Sequence, residues 1–292
     1  MHVEIIGADS LGVRSLCTLV RVDERRIVID PGVALDAGRA RRLPHPRQVA
    51  VAEDTREAIA GALESATDVV ISHYHGDHTP LADADCYQLP AQSVIAHLRR
   101  ATLWTKGRRG LTKRMFRRRK ALVRLLGNLP DVDDSSGDIF EFSVQPHGER
   151  EAKRGMVLMT RVASFVHASD IQLLDRAAVE KILSWEPDIV LAAGPPLYLS
   201  RIPREAIEDA RRLARLLAQE VDTLILDHHL LRSEEGEAWL DDVGAVCAAD
   251  FMKKPRRLLE AQRKQLYQQQ PVPPGWHQDY REKKATTEGF RP

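Results

Sequence analysis

The six residues His73-Tyr74-His75-Gly76-Asp77-His78 constrain this chain more than any other stretch, because they place three imidazoles and a carboxylate almost side by side. They follow directly on residues 68–72 (DVVIS), a run too short and too β-branched for a helix, which reads as a buried strand. Side chains alternate along a strand, so His73 and His75 can leave its end on one side. Gly76 allows a sharp turn that returns Asp77 and His78 to the same pocket. A single tetrahedral metal would not take all of its ligands from so short a segment, so the motif points to two metals sharing it. A patch of surface histidines or a helix cap is the bland alternative. One strand-end histidine would favour it; four ligand-type residues at this spacing do not.

Elsewhere, short β-branched runs alternate with helical patterns. Residues 20–22 and 26–30 read as a hairpin turning at Asp23 and Glu24. Residues 53–66 form a helix with Ala58, Ile59, Ala62 and Leu63 on one face. Residues 93–97 and 140–145 read as strands, and 156–161 with 163–166 as a hairpin. A helix over 175–184 leads to a buried strand at 188–192. Pro203 opens a further helix that runs to Glu220, and a buried strand follows at 223–227. Residues 258–267 suggest a terminal helix, and the proline-rich stretch after Gln270 suggests an extended, poorly ordered tail. Hairpins first, then alternation with helices, imply an α/β sandwich with mixed sheets.

Composition removes some function classes. At 292 residues, 43% hydrophobic and 29% charged, the chain suits one large domain or two small ones. No apolar run reaches the roughly 18–20 residues of a membrane span. The opening MHVEIIGADS has neither the basic nor the apolar region of a signal peptide. Cys17, Cys86 and Cys247 are odd in number and far apart, so a reducing, cytoplasmic setting is expected.

The motif resembles that of the metallo-β-lactamase superfamily, H-x-H-x-D-H after a strand, and the likeness extends to about Asp250. The segments DSLGVRS, IDPGVAL, SHYHGDHTP, PHG, VHASD, GPPLYL and DHHLLR look like an archaeal-type branch of predicted metal-dependent hydrolases. The resemblance implies a four-layer αβ/βα sandwich. It implies one divalent ion on His73, His75 and His147, a second on Asp77, His78 and His228, and Asp170 bridging the two. The last ligand is His228 or His229 of LILDHH, with His228 favoured by its distance from the strand end. Asp30 of IVIDPG matches an acidic residue that orients the ligand loop, although it also reads as a plain strand-end turn residue. With nitrogen and oxygen ligands, zinc is the first expectation, and iron or manganese also fit.

The activity so implied is hydrolysis of an ester, lactone, thioester or phosphoester by a water activated between the metals, with Asp77 and Asp170 in the machinery. His167 is either a leaving-group acid or a satisfied core histidine. A cysteine where Asp170 stands would mark a secreted zinc β-lactamase. A glutamate at His75 with an added flavodoxin domain would mark a flavodiiron oxidoreductase. Neither pattern is present in the sequence. Arg14, Tyr198 and Arg232 lie in family-like loops, where surface packing is the favoured reading. His2, His45, His97 and His277 read as structural or surface residues.

The near-neutral net charge of +1 is a cancellation. Residues 99–124 carry a dozen Lys and Arg and no acid, the tail from Lys253 is basic, and the remaining body is acidic. The expected layout is a hydrolase domain over 1–252, with a basic helical insert at about 99–126, followed by a helix and tail over 253–292. The insert either binds an anionic partner such as nucleic acid or pairs with acids of the body, including those of 131–151. The rival functions are therefore a nuclease or phosphodiesterase using the insert, and a metal-stabilised binding protein without turnover.

Overall fold

The computed structural model describes residues 1–36, 42–148 and 155–291. Five strands, β1 (His2–Ile5), β2 (Thr18–Val22), β3 (Arg25–Ile29), β4 (Asp68–Ile71) and β5 (Thr102–Thr105), lie side by side in chain order. The first three pair antiparallel. Helices α1 (Pro46–Glu64) and α2 (Ala91–Arg100) then carry the chain into the parallel neighbours β4 and β5. The second sheet contains β6 (Ser136–Gly137), β7 (Phe140–Pro146), β8 (Met156–Val162), β9 (Phe165–His167), β10 (Ile189–Ala192) and β11 (Thr223–Leu226), again in chain order. Its first four strands pair antiparallel, and β9, β10 and β11 run parallel.

The period of two along the strands builds the layers. Ile27, Ile29 and Val70 turn inward against Phe140, Leu158, Phe165, Leu191 and Ile225 of the second sheet. Val28, Val69 and Ile71 turn outward onto α1, α2 and α3 (Lys113–Leu126). On the other side Val157, Met159, Val166 and Val190 meet α4 (Arg176–Leu183), α5 (Arg204–Glu220) and α6 (Glu235–Val243). Each buried aliphatic side chain contributes about 1.5–3 kcal/mol, and a one-residue slip would expose a whole row of them. The result is a four-layer αβ/βα sandwich.

Three expectations change. Residues 93–97 are helical, because Ala91, Val94 and Leu98 form the buried stripe of α2. The first long helix begins at Pro46, where Arg47 N donates to His45 Nδ1 (3.2 Å) and His45 N donates to Gln48 Oε1 (2.9 Å). The tail after Gln270 is folded. Its helix α7 (Trp276–Arg281) buries Trp276 in the core shared with α1, and His277 sits between the Tyr87 and Tyr267 hydroxyls, 2.9 Å from each. The basic stretch forms the end of α2, strand β5 and helix α3. Within it Lys106 Nζ meets Asp133 at 2.8 Å and Arg109 pairs with Asp134, whereas Glu149 and Glu151 lie outside the described residues.

Candidate metal centre

The strand ends deliver the site: Asp30 follows β3, His73 follows β4, His147 follows β7, Asp170 follows β9 and His228 follows β11. Asp30, Ser169 and His228 have φ of 53°, 52° and 56°, a left-handed backbone that costs roughly 1–3 kcal/mol per non-glycine residue. That cost is held at the site by the hydrogen bonds around it.

Asp170 stands at the centre, with a different group on each carboxylate oxygen. Its Oδ2 lies 2.6 Å from His147 Nε2, 3.4 Å from His73 Nε2 and 3.8 Å from His75 Nδ1, and the last two nitrogens are 2.9 Å apart. Its Oδ1 lies 3.1 Å from His78 Nε2 and 3.3 Å from His228 Nε2. Those two nitrogens are 3.2 Å apart, and Asp77 Oδ2 is 3.5 Å from His228 Nε2. A tetrahedron with metal–ligand bonds of about 2.0–2.1 Å has edges of about 3.3 Å. The Oδ1 set has these spacings, and the Oδ2 set scatters around them. Asp170 Oδ1 is buried without a hydrogen bond, as expected of an atom kept for another ligand.

The hydrogen-bond network fixes which nitrogen of each ring faces inward. His78 Nδ1 is 2.8 Å from Asp30 Oδ2, and His228 Nδ1 is 2.8 Å from Asp9 Oδ2. Asp30, as a carboxylate, only accepts, so His78 Nδ1 carries a proton and its Nε2 is the atom turned to the cluster, while His228 turns Nδ1 to Asp9 and Nε2 to Asp170 and Asp77. Ser72 Oγ donates to Asp30 Oδ2 at 2.6 Å and so accepts from His73 Nδ1 at 3.0 Å, which again leaves His73 Nε2 free to face inward. Ser72 N and Ser169 Oγ also donate to Asp30, at 2.8 and 3.1 Å. Asp30 is thus the hub that holds two rings.

Charge is balanced tightly. Burial drives His73, His75, His228 and His229 below the usual histidine range, which keeps those rings neutral and able to ligate. His78 is also pulled down by burial, but Asp170 and Asp30 more than reverse this and raise it. Burial alone would raise Asp77; Arg14, His78, His228 and Arg232 hold it well below the carboxylate range. Arg14 Nη2 and Arg232 Nη2 reach Asp77 Oδ2 at 3.1 and 3.2 Å. Asp9 behaves oppositely: burial pushes it up to about 7 despite Arg232 and Arg14.

A family model described as the metallo-beta-lactamase superfamily matches residues 11–153. A UPF0282 protein of Methanosarcina mazei is 48% identical over 302 residues, covering 99% of each chain. The chain belongs to the UPF0282 family. Family members in Methanopyrus kandleri and Pyrococcus furiosus are 34% and 31% identical, over 91% and 92% of this chain and 99% and 92% of their own. The fold is that of the metallo-β-lactamases, and this UPF0282 chain carries their His/Asp clusters, which could hold metal. A Cronobacter sakazakii metallo-β-lactamase HARLDQ motif mutant is similar at 14% identity and a TM-score of 0.28, too slight a likeness to carry a structural argument.

In this family member His73, His75, His147 and Asp170 form one group of potential metal donors, and Asp77, His78 and His228 another. His228 Nε2 faces Asp77 and His78. His229 Nε2 instead lies 3.4 Å from Asp170 Oδ2, buried and without a hydrogen bond. His167 is not brought into the cluster. Its Nε2 faces the Leu16 carbonyl at 3.0 Å, in the layer between the sheets, which is the core-histidine position of its two alternatives. Arg14, Tyr198 and Arg232, read as surface packing, instead lie against the donor cluster. Arg232 is buried against Asp9, Asp77 and His228, and Tyr198 Oη is 3.0 Å from His229 Nδ1. Asp9 was not singled out in the sequence, because only the fold brings ADSLG beside LILDHH.

Among the described residues, no helix is long and apolar enough to cross a membrane.

Proposed function

We propose that this protein is a binuclear metal-dependent hydrolase acting on an ester, lactone, thioester or phosphoester bond. The observation that carries the reading is the carboxylate of Asp170, whose two oxygens each face a separate group of donor atoms, with Oδ1 at near-tetrahedral spacings from His78 and His228. His73, His75 and His147 would hold one ion with Asp170 Oδ2. Asp77, His78 and His228 would hold the other with Asp170 Oδ1. The all-nitrogen-and-oxygen donor set suits zinc first, then iron or manganese. Two such ions, when bound, lower the pKa of a shared water and polarise the bond to be cleaved.

The chain's own residues do the rest. Asp30 holds His78 in the ligating tautomer, and Asp9 orients the His228 ring. Arg232 Nη1, which can only donate, lies 3.3 Å from His229 Nδ1, so the His229 proton sits on Nε2 and is directed into the site. That N–H is placed to hydrogen-bond a substrate oxygen beside Asp170. Arg14, with its side chain 17% exposed, and the buried Arg232 present positive charge at the Asp77 side.

The test is metal content together with turnover on a panel of ester, lactone, thioester and phosphodiester substrates, for the natural chain and for Asp170→Asn. The expected result is two metals per chain and activity on one class. The variant should keep its fold, lose at least one metal and lose most turnover. Two tightly held metals with no turnover on any class would instead favour a metal-stabilised binding protein.

A further inference from the structure

Helix α3 carries an unneutralised basic surface with an aromatic ring in it. Lys113, Arg114, Phe116, Arg117, Lys120 and Arg124 are all exposed. None of the five cations makes a hydrogen bond or ion pair among the described residues. Phe116 is 45% exposed; among the described residues the only other large hydrophobic side chain so exposed is Met1. Lys113, Phe116, Arg117, Lys120 and Arg124 follow helical spacing, so they share one face about 16 Å long. Like charges at these spacings repel and weaken a helix, so the arrangement is unfavourable for folding alone. The opposite face is ordinary core, with Met115 and Leu122 buried.

This helix is tied to the metal loop. Arg118 Nη1 donates to the carbonyl of Tyr74 at 3.2 Å, between His73 and His75, and His75 has its side chain 31% exposed. A cleft of about 760 Å³ runs from Leu111 and Thr112, at the start of α3, to Pro146, the neighbour of His147.

We propose that this face of α3 docks single-stranded nucleic acid and presents its phosphodiester backbone to the centre described above, an assignment that rests on the hydrolase reading for its chemical step. Cations at helical spacing neutralise successive phosphates, and Phe116 offers a stacking face that an unpaired base can use and a base inside a duplex cannot. An amphipathic helix lying on a bilayer would need a whole apolar face, and Phe116 is the one exposed large apolar side chain here. Hydrolysis would form one P–O bond from water and break the P–O bond to one sugar. One water proton would end on the departing hydroxyl and the other on the new phosphate monoester.

The test uses the metal-loaded full chain and a fluorescent phosphorothioate oligonucleotide of mixed sequence, as RNA and as DNA, with anisotropy read across salt. Phe116→Ala should weaken binding of single strands by roughly 5- to 150-fold and leave duplex binding unchanged. Arg117→Gln/Lys120→Gln should weaken both and flatten the salt dependence by about 0.7 per lost phosphate contact for single strands. Hydrolysis of bis(4-nitrophenyl) phosphate at the metal centre, measured in parallel, should be unaffected by either change. Phe116-dependent binding without such hydrolysis would support the docking face while overturning the phosphodiester step, and a lack of turnover on every substrate class would be needed to remove the hydrolase reading itself. Oligonucleotide affinity indifferent to all three substitutions would overturn the proposal. So would tighter Phe116-dependent binding to anionic phospholipid vesicles or to an acidic polypeptide.

Discussion

Gly32 offers a way to disturb the metal loop without touching any donor atom. It follows Asp30 in IDPG, its N–H bonds the Asp30 carbonyl at 2.7 Å, and its carbonyl accepts from Ser15 Oγ at 2.6 Å. A Cβ on Gly32 would stand 2.2 Å from Thr79 N, 2.5 Å from His78 C and 2.6 Å from His78 N. All three are backbone atoms of the ligand loop, so no side chain can swing aside. Ordinary contact requires the two segments to part by about 1 Å, which resembles core overpacking and costs about 1–3 kcal/mol. For a chain of this size that is a fall of roughly 2–12 °C in Tm. Ligand positions are held to within about 0.2 Å in a working site, so the shift should weaken the ion on Asp77, His78 and His228 by at least about 10-fold. Gly61→Ala is the matched control, since that glycine lies in α1 with nothing within 4 Å of the added Cβ. It should stabilise by about 0.5–1 kcal/mol and leave metal binding alone. Thermal melts and metal titration by equilibrium dialysis read both variants. Gly32→Ala that melts within about 1 °C of the natural chain and binds both ions unchanged would refute the close packing of these loops.

Other residues give separable outcomes. His228→Ala should lose one metal per chain, whereas His229→Ala should keep both and lower turnover about 100-fold or more, read by elemental analysis and steady-state rates. Asp30→Asn should leave the fold intact but weaken metal about 10- to 100-fold in competition with a chelator, because His78 loses its carboxylate partner. His277 is lowered from 6.5 to about 4, chiefly by burial and then by Arg281 and His45. The unfolded chain therefore takes up its proton first on acidification, so stability should fall as pH drops from about 6.5 to 4 and level off below. Hydrogen exchange of residues 276–291 should track that fall, and His277→Asn should remove it.

Local chemistry explains what the sequence made legible. The strands at 68–72, 188–192 and 223–227 were readable because buried parallel strands are continuous apolar runs, and β4, β10 and β11 occupy them. Asp30, His147, Asp170 and His228 are placed by the resemblance to the metallo-β-lactamase superfamily, and each lies just past the end of a strand. Helix α2 was hidden by Val94 and Ile95, a β-branched pair whose short-range preference lost to the wider stripe of Ala91, Val94 and Leu98. Strand β5 has little signal of its own, because it is only four residues, TLWT, set in the basic stretch between α2 and α3. The tail reads as disordered because its polar composition masks Trp276 and Tyr280, which anchor α7 on the core. Asp9 has no local signal, and Arg14 and Arg232 have only their place in family-like loops. Their roles arise from distances such as the 223 positions between Asp9 and Arg232, which only the assembled sheets close.

Anomalous diffraction from crystals of the metal-loaded protein tests the central claim most directly. The account predicts two peaks about 3.5–4 Å apart, one beside His73, His75 and His147 and one beside Asp77, His78 and His228, with Asp170 between them. A single peak, or two peaks that do not share Asp170, would contradict it.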